Sequence, residues 1–184
     1  MLPNPTSESQ WLLNGRRVYL RPVEAADVPL LHRWQNDPAV SGRWSSVYPM
    51  AFTQLEHLYT SQPSVGDERG AFLIVHGENT PVGLVTYHRI WSAPHSPGYN
   101  IGISIAPEFR GQGFGSEAQR LLADYLLSTL PVGRIEASTD IENIPEQRAL
   151  ERAGFSREGV LRSAWWRGGR WHDMVMYSRV QGDE

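Results

Sequence analysis

Two periods of apolar and polar positions run along this chain, and the switches between them mark its elements. Arg17–Arg21 alternates as Arg-Val-Tyr-Leu-Arg, which predicts a first strand stopped by Pro22. In Ala25–Gln35, Val28, Leu31 and Trp34 share one face of a predicted helix, which Asp37-Pro38 ends. Thr53 is expected to cap a short helix to about Thr60. The apolar run Ala71–His76, the turn Gly77-Glu78-Asn79 and the long strand Val82–Trp91 predict a hairpin. Tyr99–Ala106 is the next strand, closed by Pro107, and Gly102 inside it suggests a bulge or a close backbone approach.

The period then lengthens. Between about Ser116 and Ser128, Ala118, Leu121, Leu122, Tyr125 and Leu126 recur at helical spacing and should face the core. Ile135–Thr139 predicts a strand, and Asn143–Ala153 a helix with Gly154 as its C-cap. Two late strands, about Val160–Arg167 and Arg170–Val180, meet at the turn signal Gly168-Gly169. This order predicts an α/β fold, a mixed sheet with helices on both faces. Residues 1–14 read as a loose polar tail and 15–184 as one domain.

Composition narrows the picture. A chain of 184 residues with net charge −3 offers no broad basic field for nucleic acid. It has no cysteine, which excludes disulfides, thiol nucleophiles and cysteine-held metals. No stretch of 18 apolar residues predicts a membrane span, and the first residues do not resemble a secretory signal. The cytoplasm is the expected location, and no metal is expected.

The chemistry concentrates in Ile105-Ala106-Pro107-Glu108-Phe109-Arg110-Gly111-Gln112-Gly113-Phe114-Gly115, a strand end, a glycine turn and a helix start. Amides at such a turn have no partner within the helix and sit at the positive end of its dipole, so they can cradle a pyrophosphate. Glycine permits positive φ and close approach, and Arg110 could add its charge to the phosphates. The spacing differs from the Rossmann Gly-x-Gly-x-x-Gly, and no Gly-Lys-Ser/Thr of a Walker loop follows.

Arg110–Gly115 resembles the (Gln/Arg)-x-x-Gly-x-(Gly/Ala) signature of the GNAT N-acetyltransferases. Glu142–Phe155 and the ending Glu158–Arg162 with Gly169–Tyr177 are similar to the RimJ/RimL-type branch. The likeness runs from about Arg17 to Val180. It implies a GNAT fold, α+β, with a mostly antiparallel sheet that splays beside the Tyr99–Ala106 strand. It also implies direct transfer of an acetyl group from acetyl-CoA to a primary amine: a protein N-terminus, an amino sugar or another small amine. By the same carry-over, Ile103 and Ile105 would pair with the pantetheine arm and Asn143 would bond it. Arg110, Gly111, Gln112, Gly113, Phe114, Gly115 and Ser116 would hold the pyrophosphate. Asn143 reads equally as a plain helix N-cap. A homodimer is a common habit of such families.

An amine acceptor must lose a proton before it attacks, since an ammonium has no lone pair. Relatives place acid–base groups where this chain has Asn100, Leu150, Glu146 and Trp165. Glu146 is the substitute candidate, although Asn143-Ile144-Pro145-Glu146 also reads as a capping box. Tyr99 and His88 are further candidates, with satisfied core positions as the alternative. His172-Asp173 reads as structural. Trp44, Trp91, Trp165 and Trp166 fall on segments that flank the acceptor side in this fold, either as an aromatic wall or as core and dimer surface. Ser41–Pro49 lacks the acidic residues of polyamine-acetylating relatives, which argues against a polyamine. The missing usual acid and base leave one alternative open: a catalytically weak acyl-CoA sensor or partner protein.

Overall fold

The computed structural model describes residues 13–45, 48–61 and 63–183. Their strands form one eight-stranded sheet: β1 (Leu13–Asn14), β2 (Val18–Pro22), β3 (Arg69–His76), β4 (Thr80–Ala93), β5 (Ser96–Ile105), β6 (Arg134–Asp140), β7 (Ser156–Arg167) and β8 (Arg170–Val180). The spatial order is β1-β2-β3-β4-β5-β6-β8-β7. Every pairing is antiparallel except β5 with β6.

The helices are α1 (Val28–Asn36), α2 (Pro38–Ser41), α3 (Phe52–Thr60), α4 (Phe114–Thr129) and α5 (Ile144–Arg152). They divide between the two faces, as expected, because each face buries its own apolar set. Val28, Leu31 and Leu55 of α1 and α3 pack on Ala71, Leu73 and Val75. On the other face, Ala118, Leu122 and Leu126 of α4 and Leu150 of α5 pack on Ile74, Val85, Ile101 and Ile135. Alternate residues of β3 therefore serve opposite cores, which explains its unbroken apolar run.

Four local expectations change. Leu13 and Asn14 are paired with Leu20 and Tyr19, so the ordered sheet begins before residue 15; the rest of the expected tail lies outside the described residues. Pro38 opens the short helix α2 instead of only ending α1, because Asp37 Oδ1 accepts from the Ala39 amide at 2.8 Å. The N-cap of α3 is Ala51, not Thr53; Gln54 Oε1 accepts from the Ala51 amide at 3.0 Å. Gly102 opposes Thr86 in regular register, so it is no bulge; a Cβ there would stand 3.2 Å from Thr86 Oγ1. Among the described residues, no helix is long and apolar enough to cross a membrane.

The feature that positions the site is the β5–β6 contact. These strands pair only through Tyr99 with Ile135 and Asn100 with Glu136. Beyond Asn100 they diverge, and the β6-facing edge of β5 from Ile101 to Ile105 has no strand partner. Unpaired strand backbone offers donors and acceptors to an extended ligand.

Candidate active site

The glycine turn sits at the open end of this splay. Gly111 and Gly113 have φ of 75° and 84°, the left-handed region that a β-carbon disfavours. Gly113 is also the N-cap of α4. A β-carbon on it would come within 3.3 Å of Arg17 Nη1. The amides from Gly111 to Ser116 have no acceptor within the described protein, and the first helical bond at this end is Glu117 N–H to the Gly113 carbonyl, 3.2 Å. A consecutive run of free donors at a helix N-terminus is an anion cradle.

Arginines surround it. Arg17 Nη1 donates to the Gln112 carbonyl at 2.8 Å, which holds its guanidinium beside the turn. A cleft of about 680 Å³ opens there, lined by Arg16, Arg17, Gly113, Ser116, Glu117, Arg120 and Arg152. Glu117 Oε1 accepts from the Arg16 and Arg17 amides and so ties the β1–β2 turn to α4. The donor set fits a diphosphate: open amides on one side, guanidinium groups on the other.

Two predicted contributors act differently from expectation. Arg110 points away from the phosphate cradle: its Nε donates to the Ile105 carbonyl at 2.9 Å and its Nη2 to the carbonyls of Ala39 and Val40. It pins α2 to the end of β5, because a planar fork of donors can span several fixed acceptors. Phe114 buries its ring in the core, 4.7 Å from the His76 ring, so only its amide faces the turn. Ile103 and Ile105 are half-buried and reach toward Gly115 from the splayed end of β5; its β-carbon position is 3.6 Å from each.

Glu146 is not part of a capping box. Asn143 makes no side-chain cap; its Nδ2 donates to Thr139 Oγ1 at 2.9 Å, which leaves its Oδ1 unused. Glu146 Oε1 instead accepts from Gln119 Nε2 at 2.7 Å. Burial pushes the Glu146 carboxyl up to about 7, against the opposing effect of that hydrogen bond. Gln119 is buried, and its Oε1 has no partner. Sequence reading missed Gln119, whose only signal was a polar residue within the apolar stripe of α4.

Tyr99 leaves the list of catalytic candidates. It is fully buried, and its hydroxyl donates to the Asp67 carbonyl at 2.6 Å while its ring packs edge-on against Tyr87. His88 is exposed and pairs with Asn100 in the sheet.

Trp44, Trp91 and Trp166 lie apart and have separate partners. Trp166 packs on Trp171 at the tip of the β7–β8 hairpin, 5.4 Å between centroids. Trp91 is exposed at the far end of β4, with Arg89 6.0 Å from its ring. Trp44 stands at the splay. Arg43 lies 4.1 Å from its ring centroid and Arg167, from β7, lies 5.6 Å. His172 belongs to a cluster that sequence reading missed. Asp140, at the end of β6, pairs with Arg167 and with His172 Nδ1 at 2.9 Å. Asp140 also accepts from the Glu142 amide, and these partners hold its carboxyl below the ordinary value against the cost of burial.

The family model for the acetyltransferase (GNAT) domain matches residues 17–156. This chain belongs to that GNAT acetyltransferase family. It is similar to the spermidine N(1)-acetyltransferase of Escherichia coli, 27% identical over 162 residues that cover 88% of this chain and 85% of that one. The spermidine N-acetyltransferase of Vibrio cholerae, solved with CoA and spermine, superposes with a TM-score of 0.79 at 24% identity, covering 92% of this chain and 98% of that one. RimL, an α-N-protein acetyltransferase solved with coenzyme A, superposes with a TM-score of 0.76 at 19% identity, covering 92% and 97%. The protein is an N-acetyltransferase, and acetyl-CoA is its co-substrate.

Proposed function

We propose that the amides from Gly111 to Ser116, with Arg17, bind the diphosphate of acetyl-CoA, and that Glu146 takes the proton of the attacking primary amine. One observation carries the reading: a run of unpartnered amides at the positive end of α4, opening onto the unpaired edge of β5. Each charge-assisted hydrogen bond there contributes about 1.5–3 kcal/mol. The backbone of Ile103–Ile105 and Asn143 Oδ1 would direct the pantetheine arm through the splay. Acetyl-CoA supplies the activated acetyl thioester when bound.

Glu146 suits the proton transfer because its acid strength lies near neutrality, where a base can both exist ionised and hold a proton. Gln119 fixes the carboxylate from α4. The acceptor is a primary amine that enters from the α2 side. A second copy of the chain is the further partner we propose: β7 is the outer strand of the sheet and exposes Val160 and Leu161. A monomer in sedimentation velocity would remove it.

The test of the function is thiol release from acetyl-CoA across a panel of amines, peptides with free N-termini and amino sugars. Release with at least one amine supports the assignment. Tight coenzyme A binding without release for any of them favours the sensor.

A further inference from the structure

The splay has two entrances, and they differ in chemistry. On the α4 and α5 face lies the arginine-lined cleft beside the glycine turn. On the face carrying α1–α3 lies a second cleft of about 330 Å³, lined by Arg43, Trp44, Glu142, Arg167, Gly168, Arg170 and His172. One lip is the segment that follows α2, the helix that Arg110 fastens to the end of β5 through the Ala39 and Val40 carbonyls. The other lip is the end of β6 with the β7–β8 hairpin, held by the Asp140–Arg167–His172 cluster. Trp44 and Arg167 approach each other across the gap. The second cleft therefore opens beside the divergence of β5 and β6, from the face opposite the glycine turn.

Its charge is the informative property. Arg167 is balanced by Asp140. Arg170 reaches Glu142 only at 3.9 Å, and both are exposed. Arg43 rests on Trp44 and makes no ion pair among the described residues. The cleft thus presents guanidinium groups around an indole, with Glu142 the one acidic side chain lining it. A polycation entering it would meet like charge, whereas a carboxylate or phosphate would meet planar donors suited to it. Trp44 adds a flat apolar surface for the body of such a molecule.

We propose that this cleft selects an acceptor amine carrying an anionic group near its amine, an amino-acid-like molecule or a phosphorylated amine, and disfavours polyamines. The inference rests on the acetyl transfer assigned above. Arg43 and Arg170 are its specificity-determining residues: they hold the anion while the amine points into the splay.

Matched amines provide the test. The full chain is titrated calorimetrically, with and without saturating coenzyme A, using tyrosine against tyramine, tryptophan against tryptamine, phosphoethanolamine against ethanolamine, and spermidine. The anionic member of at least one pair should bind at least tenfold tighter than its partner and than spermidine. The tyrosine and phosphoethanolamine arms separate carboxylate from phosphate recognition. Arg43→Gln and Arg170→Gln, at exposed positions, should each erase most of that preference while leaving coenzyme A affinity unchanged. Equal binding within every pair, or tighter binding of spermidine, overturns the proposal, as does a preference that survives both substitutions. Coenzyme A affinity, measured in the same titrations, tests the glycine turn separately. Its loss would remove the transferase site without altering what the amine titrations say about the second cleft.

Discussion

Gln119 of α4 donates to Glu146 of α5 across 2.7 Å, and this contact joins the two helices beside the splay. It places a carboxyl whose acid strength is near 7 against a buried amide whose own oxygen is unpartnered. Glu146→Gln is expected to lower kcat by about 10²–10⁴-fold, the range of a lost general base, with coenzyme A affinity retained. The wild-type rate should rise with pH through about 7 as Glu146 ionises, and this limb should vanish in the variant. An unchanged rate and profile would return Glu146 to a structural role.

The same carboxyl makes a stability prediction of opposite sign. Its folded pKa lies above the ordinary 4.5, so the folded state holds the extra proton between those values. Stability contributed by that proton is present at low pH and is lost as pH rises through about 7. Glu146→Gln should therefore raise stability at pH 8 by on the order of 2 kcal/mol, and the gain should close below about pH 4.5. Urea midpoints at pH 4.5 and 8 measure it.

Gln119→Leu removes the hydrogen bond that opposes the burial effect on Glu146. The pH-rate limb should move to higher pH while coenzyme A affinity stays. Gln119→Glu would not substitute, since a second buried carboxyl beside Glu146 raises its pKa further. A limb that stays in place in Gln119→Leu would show that Gln119 only packs.

At the turn, Gly113→Val forces a branched side chain into φ of 84° and toward Arg17. Coenzyme A affinity should fall more than tenfold, consistent with losing two or more bonds of about 1.5 kcal/mol each. Gly111→Ala serves as a milder comparison, because a β-carbon there meets no atom within 4 Å and only the backbone is strained. Calorimetry gives the affinity, and circular dichroism confirms the fold. Intact affinity in Gly113→Val would sink the cradle assignment.

Arg110 is expected to affect stability more than charge at the ligand. Arg110→Ala leaves the Ile105, Ala39 and Val40 carbonyls without their donor, at a cost of about 2–3 kcal/mol. Arg110→Lys should recover little of it, since one ammonium cannot match the planar fork. Thermal melts of both variants decide this; a full rescue by lysine would mean that only the charge matters.

Most elements were legible in the sequence because a solvated helix or strand prints its buried face as a period. The α4 stripe lies where that period puts it; the β7–β8 hairpin turns at Gly168-Gly169 as the glycine pair signals, although β7 buries no residue and begins at Ser156, before the expected Val160. The ends were less legible. Thr53 and Asn143 looked like side-chain caps, but Ala51 is the N-cap of α3 and the Asn143 side chain turns to Thr139. A cap competes with every other partner in reach, and those partners lie on distant segments.

What the sequence by itself determined is the local machinery: the glycine turn, its open amides and the helix behind it. Those follow from residues within one short stretch, where backbone conformation and hydrogen bonding are local. Only the tertiary structure decided which charges serve the ligand and which serve the fold. Arg110 is spent on carbonyls 70 residues away, Arg17 arrives at the turn from β2's approach, and Gln119 reaches Glu146 across two helices. A long polar side chain can satisfy its charge with any partner within its reach, and chain topology alone sets which partners those are.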